Sequence, residues 1–216
     1  MASLLSVNLA RPRSNPAKPG TITGIDKVPT ADAVAVRAPG PRGVSGLVGD
    51  TIGSAKHHGG DDQAVYAYAR EDLDDWEQRL ARTLTNGSFG ENFTTTGVDV
   101  TGALVGERWQ VGDDGLVLEV TSPRTPCKTF AAFLEDSGLI KTFTRQAVPG
   151  AYLRVIHPGT VRAGDAITVV DRPDHDVTVG MVFRARLLEP ELLPRLLDVD
   201  GLAEETVRFA RRRLSA

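Results

Sequence analysis

The chain has 216 residues, 41% of them hydrophobic and 25% charged, with a net charge of −3 at neutral pH. These values fit one main globular domain with a small appendage and exclude a collagenous, coiled-coil or wholly disordered chain. No apolar run reaches the roughly 18 residues of a membrane span, and the acidic balance offers no basic surplus for nucleic acid, so neither partner is expected.

The cationic side consists of 20 Arg against 5 Lys, a bias that supplies planar forks suited to oxyanions. A single cysteine, Cys127, rules out a disulfide within the chain and points to a cytoplasmic protein. The apolar patch in residues 1–10 is too short and interrupted for a signal-peptide core and reads as a first strand. From there to residue 170 the chain is dense in Gly, Val and Thr, with short alternating runs between turns. The clearest strands are 63–68, 108–111, 116–121, 151–157 and 166–170. Asp113, Asp114 and Gly115 form a hairpin turn, and residues 163–165 make a second tight connection.

Two helices interrupt this β-rich region. The first, over 70–83, places Leu73, Trp76 and Leu80 on one face. The second starts at Pro126 and turns Phe130, Phe133 and Leu134 inward. After a polar linker at 171–174, three short helices are expected over 178–187, 190–197 and 203–214, with Pro190 and Gly201 at the breaks. The reading is an α+β fold, mainly β: a mixed barrel over residues 1–172, followed by a three-helix unit over 173–216 that leans on it.

Four segments carry chemistry. Around Cys127, two prolines stiffen a strand exit and place the thiol in the first turn of a helix, where free N–H groups favour a thiolate. Arg124 and Lys128 add positive potential. A lone cysteine can equally be a core residue, but the prolines and cations favour the reactive reading. Upstream, Lys56, His57 and His58 precede Gly59 and Gly60, whose amides could form an anion-binding nest or a plain turn. Asn92 in Gly90-Glu-Asn-Phe93 offers an amide able to read a heterocycle edge. Arg145, Tyr152 and Arg154 could bring further donors to that face, Arg154 least securely because a strand Arg is usually solvated.

In this order and spacing, the segments resemble the MOSC family, named for the C-terminal domain of molybdenum cofactor sulfurases, and especially its stand-alone YiiM-like branch. The resemblance runs from Leu4 through Gly46 to Asp50, the His-Gly-Gly-x-x-Gln-Ala-Val, Gly-Glu-Asn-Phe and Pro-Arg-x-Pro-Cys segments, and on to Asp165. The motif-bearing core is about residues 45–170. The resemblance implies a barrel-like fold that binds molybdenum cofactor, with Cys127 as the metal's protein ligand. Donors to the cofactor would come from Lys56, His58, Gly59, Gly60, Asn92, Arg124 and Arg145. The activity it implies is reduction of small N-hydroxylated compounds, such as N-hydroxylaminopurines and amidoximes. With no flavin, haem or iron–sulfur motif in the chain, electrons are expected from a separate flavin- or iron–sulfur-containing reductase, and no pyridoxal phosphate is expected. Two other readings stand beside it: a carrier of the cofactor or of a persulfide on Cys127, and a metal-free thiol enzyme in which His58 activates Cys127. The arginine-rich tail, with Arg184, Arg186, Arg195, Arg208 and Arg211 to Arg213, reads either as a solvated face or as a dock for an acidic electron donor.

Overall fold

Alternation of side chains along the strands sets the architecture, which a computed structural model describes for residues 1–215. The strands are β1 (Ser3–Ala10), β2 (Arg13–Ser14), β3 (Ile22–Thr23), β4 (Lys27–Thr30), β5 (Val34–Val36), β6 (Val65–Ala69), β7 (Phe93–Thr96), β8 (Arg108–Val111), β9 (Leu116–Pro123), β10 (Ala151–His157), β11 (Gly159–Val161) and β12 (Ile167–Asp171). The α-helices are α1 (Arg70–Leu80), α2 (Lys128–Phe133), α3 (Leu139–Gln146), α4 (Val179–Leu187) and α5 (Glu204–Leu214). Short 3₁₀ helices occupy Asp61–Gln63 and Pro190–Leu196.

Eight strands form one sheet in the order β12-β8-β9-β10-β6-β7-β1-β4. Every pairing in it is antiparallel except β6 with β7. The sheet curls until β1 approaches the start of β12, where Leu4 N–H donates to the Asp165 carbonyl at 2.8 Å and Ile167 N–H to that of Ala2 at 3.0 Å. Only an isolated bridge between Ser3 and Ala166 joins the two strands. The expected α+β fold is therefore present, but the barrel is not closed.

Strand β6 shows how one segment serves two cores, because all five of its residues are buried. Val65, Ala67 and Ala69 face the aliphatic interior with Leu118, Val120 and Leu153. Tyr66 and Tyr68, the alternate positions, join an aromatic cluster with Trp76, Phe89, Phe130 and Phe143 between the sheet and helices α1 to α3. Phe89 is its hub, with ring centroids 5.0 Å from Phe130 and 5.1 Å from Tyr68.

Several boundaries differ from the sequence expectation for local reasons. The strand expected at 63 begins at Val65, because Asp61–Gln63 winds into a 3₁₀ turn. Helix α1 stops at Leu80, where Ala81 turns left-handed at φ 49°. Helix α2 begins at Lys128, so Cys127 is its extended N-cap residue rather than a first-turn position. The middle tail helix is 3₁₀ and contains Pro194, which lacks the N–H an α-helix interior needs.

The tail is fastened to the sheet by backbone bonds. Val105 N–H donates to the Val177 carbonyl at 3.1 Å, Val179 to Ala103 at 3.0 Å and Ala203 to Thr121 at 3.2 Å. Val105 also joins the tail's own cluster of Val182, Leu193, Leu196 and Ala210. Three of the tail's arginines are engaged in ion pairs: Arg184 with Glu189, Arg195 with Asp176 and Arg208 with Glu204. Arg186 is half-buried rather than part of the cationic exterior.

Candidate functional site

The end of β9 delivers the chain into a cleft beside the aromatic cluster. Pro123 closes the strand, and Arg124 turns inward, 5% exposed. Its guanidinium lies 4.0 Å from the Phe130 ring centroid and 5.2 Å from that of Tyr66, and donates to the Phe89 carbonyl. Such stacking stabilises a desolvated guanidinium. No ion pair to a carboxylate accompanies it among the described residues. Burial pulls its pKa down, but Tyr66, Tyr152 and Cys127 beside it outweigh that and hold it above the ordinary value. A permanent buried cation therefore faces the cleft.

Two adjoining hollows that share lining residues make up the cleft, with volumes of about 110 Å³ and about 520 Å³. Cys127, His58, Gln63 and Tyr152 line both. The inner hollow adds Lys27, Gly59, Tyr66, Gly90, Asn92 and Arg124. The outer hollow adds Lys18, His57, Lys128, Arg186, Glu205 and Thr206. Half-buried Cys127 thus stands at the junction.

The structure brings together some of the residues expected from sequence and separates others. Cys127, Arg124, His58, Gly59 and Asn92 share the inner hollow. Lys56 and Arg145 are exposed and line neither hollow. Lys56 lies in the loop before the glycines, where its backbone carbonyl accepts from Arg42. Arg145 is in the last turn of α3. The glycines are built for close packing: Gly59 adopts φ 78°, and a Cβ there would lie 2.6 Å from the Val44 carbonyl oxygen. Gly60 donates its N–H to that same carbonyl at 3.0 Å, so its amide is committed within the chain and not free for an anion. Arg154 pairs with Asp62 and Glu119.

Asn92 is buried, and its amide is largely occupied. Its Oδ1 accepts from Tyr66 N–H at 3.2 Å, and its Nδ2 donates to Asp50 at 2.9 Å. That contact opens onto a polar cluster not anticipated from sequence. Lys27 Nζ reaches both Asp50 oxygens at 2.6 and 2.7 Å, and Ser45 donates to Asp50 at 2.7 Å. Burial lowers the Lys27 pKa against the pull of Asp50, while Lys27, Ser45 and Asn92 overcome burial to hold the Asp50 carboxyl low. Asp50 closes the Gly46–Asp50 run, but its pairing with Lys27, 23 residues away, has no local sequence signature.

Gln63 is a second unanticipated wall residue, although its motif was legible. Its Oε1 is buried with no hydrogen-bond partner, and its side chain borders both hollows. An orphaned acceptor of this kind costs free energy unless something donates to it. His58 is held near pKa 4, by burial first and then by Arg124, His57 and Arg42, with Glu205 opposing. It is a neutral imidazole at physiological pH, and no hydrogen bond joins it to Cys127 among the described contacts.

Comparison with known proteins places this geometry in context. The MOSC domain model matches residues 54–168. The uncharacterized protein YflK of Bacillus subtilis (strain 168) is 30% identical over 206 residues, covering 94% of this chain and 90% of YflK. A protein named reductase from Gibberella moniliformis is 32% identical over 155 residues; the match covers 69% of this chain and only 27% of that longer protein. The crystal structure of YiiM from Geobacillus stearothermophilus superposes with a TM-score of 0.80 at 24% identity, covering 99% of this chain and 100% of that one.

Proposed function

Because the chain belongs to the MOSC domain family, we propose that it is a molybdenum cofactor-dependent reductase of N-hydroxylated compounds such as N-hydroxylaminopurines and amidoximes. The observation that carries this reading is a buried, carboxylate-free Arg124 facing the same hollow as the chain's single thiol. The resemblance of the Gibberella protein, named a reductase, supports it.

The wall residues fit such a group. Cys127 is the sole protein sulfur of its kind, and no cluster of three or more His, Cys, Asp or Glu side chains is placed to hold a metal among the described residues. A metal held at Cys127 therefore needs its remaining ligands from elsewhere, which a sulfur-bearing pterin provides, and a soft thiolate matches a soft metal. Arg124 would bind an anionic part of the cofactor, and the orphaned Gln63 Oε1 would accept from an N–H. When bound, the group supplies two-electron exchange with the substrate's N–O bond.

The balance of the reaction assigns the rest. An N–OH substrate takes up two electrons and two protons, its N–O bond breaks, and the amine or amidine leaves with one water. The electrons come from a separate flavin- or iron–sulfur-containing reductase. The walls orient the substrate over Cys127, the two protons are drawn from solvent entering the cleft, and His58, neutral above about pH 4, offers the substrate a hydrogen bond and holds no stored proton.

The test is to purify the chain from a host that makes the cofactor, quantify molybdenum and pterin, and follow benzamidoxime reduction with a chemical reductant. Metal, pterin and turnover are expected together. Cys127→Ser, with unchanged thermal unfolding, is expected to lose turnover, since a hydroxyl is a harder and far less acidic ligand. Absence of metal, or full activity in Cys127→Ser, overturns the reading. Metal without turnover would instead support the carrier role.

A further inference from the structure

We propose that Arg186, contributed by the helical tail, is a specificity residue that selects substrates bearing an anionic substituent. The outer hollow is not built from the sheet alone: Arg186, Ala203, Glu205 and Thr206 form part of its wall, and all four follow the segment matched by the family model. The tail thus reaches the space next to Cys127 and shapes what enters it.

The charges there are asymmetric. Lys18, Lys128 and Arg186 line the hollow, and its single carboxylate, Glu205, is engaged by Arg42. Arg42 also holds the Glu205 pKa below its ordinary value. Arg186 is half-buried, packs 5.1 Å from the Phe209 ring centroid and donates from Nη1 to the Thr206 hydroxyl at 3.1 Å. A guanidinium carries five N–H donors, and Thr206 is the one protein acceptor that Arg186 has among the described residues. Burial works against its charge and Glu205 only partly offsets that. A half-buried guanidinium over an aromatic ring, with donors that no protein acceptor takes up among the described residues, suits a carboxylate or phosphate on the ligand. In a chain of net charge −3, this mouth is a local exception.

Cys127 borders the same hollow, so a ligand can place a reducible group at the thiol and an anion at Arg186. The binding part of the inference stands on geometry; the kinetic part rests on the reductase reading above. It also gives the tail a role other than docking an electron donor.

The experiment uses the full chain as purified with its cofactor and two matched probe pairs. Benzamidoxime and 4-carboxybenzamidoxime are compared in turnover; benzamidine and 4-carboxybenzamidine, which have no N–O bond, are compared by calorimetry. The carboxylated member of each pair is expected to show a KM or Kd about tenfold lower, with kcat similar, because a charge-assisted bond is worth about 1.5 kcal/mol or more. Arg186→Gln is expected to abolish that preference, and Arg186→Lys, which keeps the charge and loses the fork, to retain part of it. Arg211→Gln, outside the hollow, is expected to leave it intact. Equal affinities in the wild type, or a preference surviving Arg186→Gln, overturn the proposal. Loss of molybdenum from Arg186→Gln with unchanged probe preference also overturns it, by assigning Arg186 to the cofactor. An Arg186-dependent preference for 4-carboxybenzamidine without reduction of either amidoxime supports the anion site while sinking the reductase reading.

Discussion

Two cations wall the inner hollow at nearly the same depth, Lys27 at 7% exposure and Arg124 at 5%, and the chain treats them in opposite ways. Lys27 is neutralised internally: Asp50 meets it with both oxygens, and Ser45, Asn92 and the Ala10 N–H complete the carboxylate's shell. Arg124 receives one carbonyl and two aromatic faces but no carboxylate. The first arrangement is complete as it stands and positions structure, tying β1 and β4 to the loop before the site. The second leaves charge over, and that surplus is what an anionic ligand can use. Burial is common to both cations; the internal counter-charge is what separates them.

The largest expected effect breaks the internal pair. Lys27→Met leaves Asp50 buried without its cation and is expected to lower unfolding free energy by about 3–5 kcal/mol in urea titration. Lys27→Met combined with Asp50→Asn is expected to recover most of that loss, because the bare charge is gone while an acceptor for Ser45, Asn92 and the Ala10 N–H remains. If the single variant is as stable as the wild type, the complete-shell account fails.

Acid sharpens the comparison next. His58 has a folded pKa near 4 against an ordinary 6.5, so between those values the unfolded chain binds a proton that the folded chain does not. Stability therefore falls as pH drops through that window, by at most about 3 kcal/mol for this group. Asp50, whose folded pKa is held low, adds a loss at still lower pH. Urea titrations at about pH 7 and about pH 4.5 should show the fall, and His58→Gln should reduce it; equal slopes in both proteins would remove His58 as the cause.

Arg124→Met is the counterpart of Lys27→Met and should behave differently. Its unfolding free energy is expected to stay within about 1 kcal/mol of wild type, since only one neutral acceptor loses a partner. Anion retention should weaken about tenfold to a hundredfold, read as molybdenum and pterin per chain. A large stability loss with normal occupancy would make Arg124 a second Lys27. The smallest effect is expected at Lys56→Ala, where an exposed side chain outside both hollows should change occupancy by less than about twofold, on the order of RT in free energy.

Much of the fold was legible because its signals are local. The hairpin at Asp113 to Gly115, the β-rich run to residue 170 and helix α1 all follow from short-range patterns, and Gly115 does adopt φ 80°. Cys127 and Arg124 were equally legible, since prolines, a strand exit and a helix start lie within seven residues of one another. The parallel pairing of β6 with β7 and the incomplete meeting of β1 with β12 were not, because register between distant strands depends on the whole sheet's curl.

The sequence by itself determined which residue could be a thiolate ligand, that the family motifs stand in order, and the approximate place of β1, β6, β8, β9, β10, β12, α1, α2 and the tail helices, whereas β2 to β5, β7, β11 and helix α3 emerged only in the structure. Only the tertiary structure decided which cations are left over. It joined Lys27 to Asp50, turned Arg145 and Lys56 out to solvent, committed Gly60's amide to Val44, and brought Arg186 from the tail to within reach of the space beside Cys127. The physical reason is that a charge's role depends on what surrounds it in three dimensions, and counter-charges recruited across tens or hundreds of residues leave no periodicity in the chain.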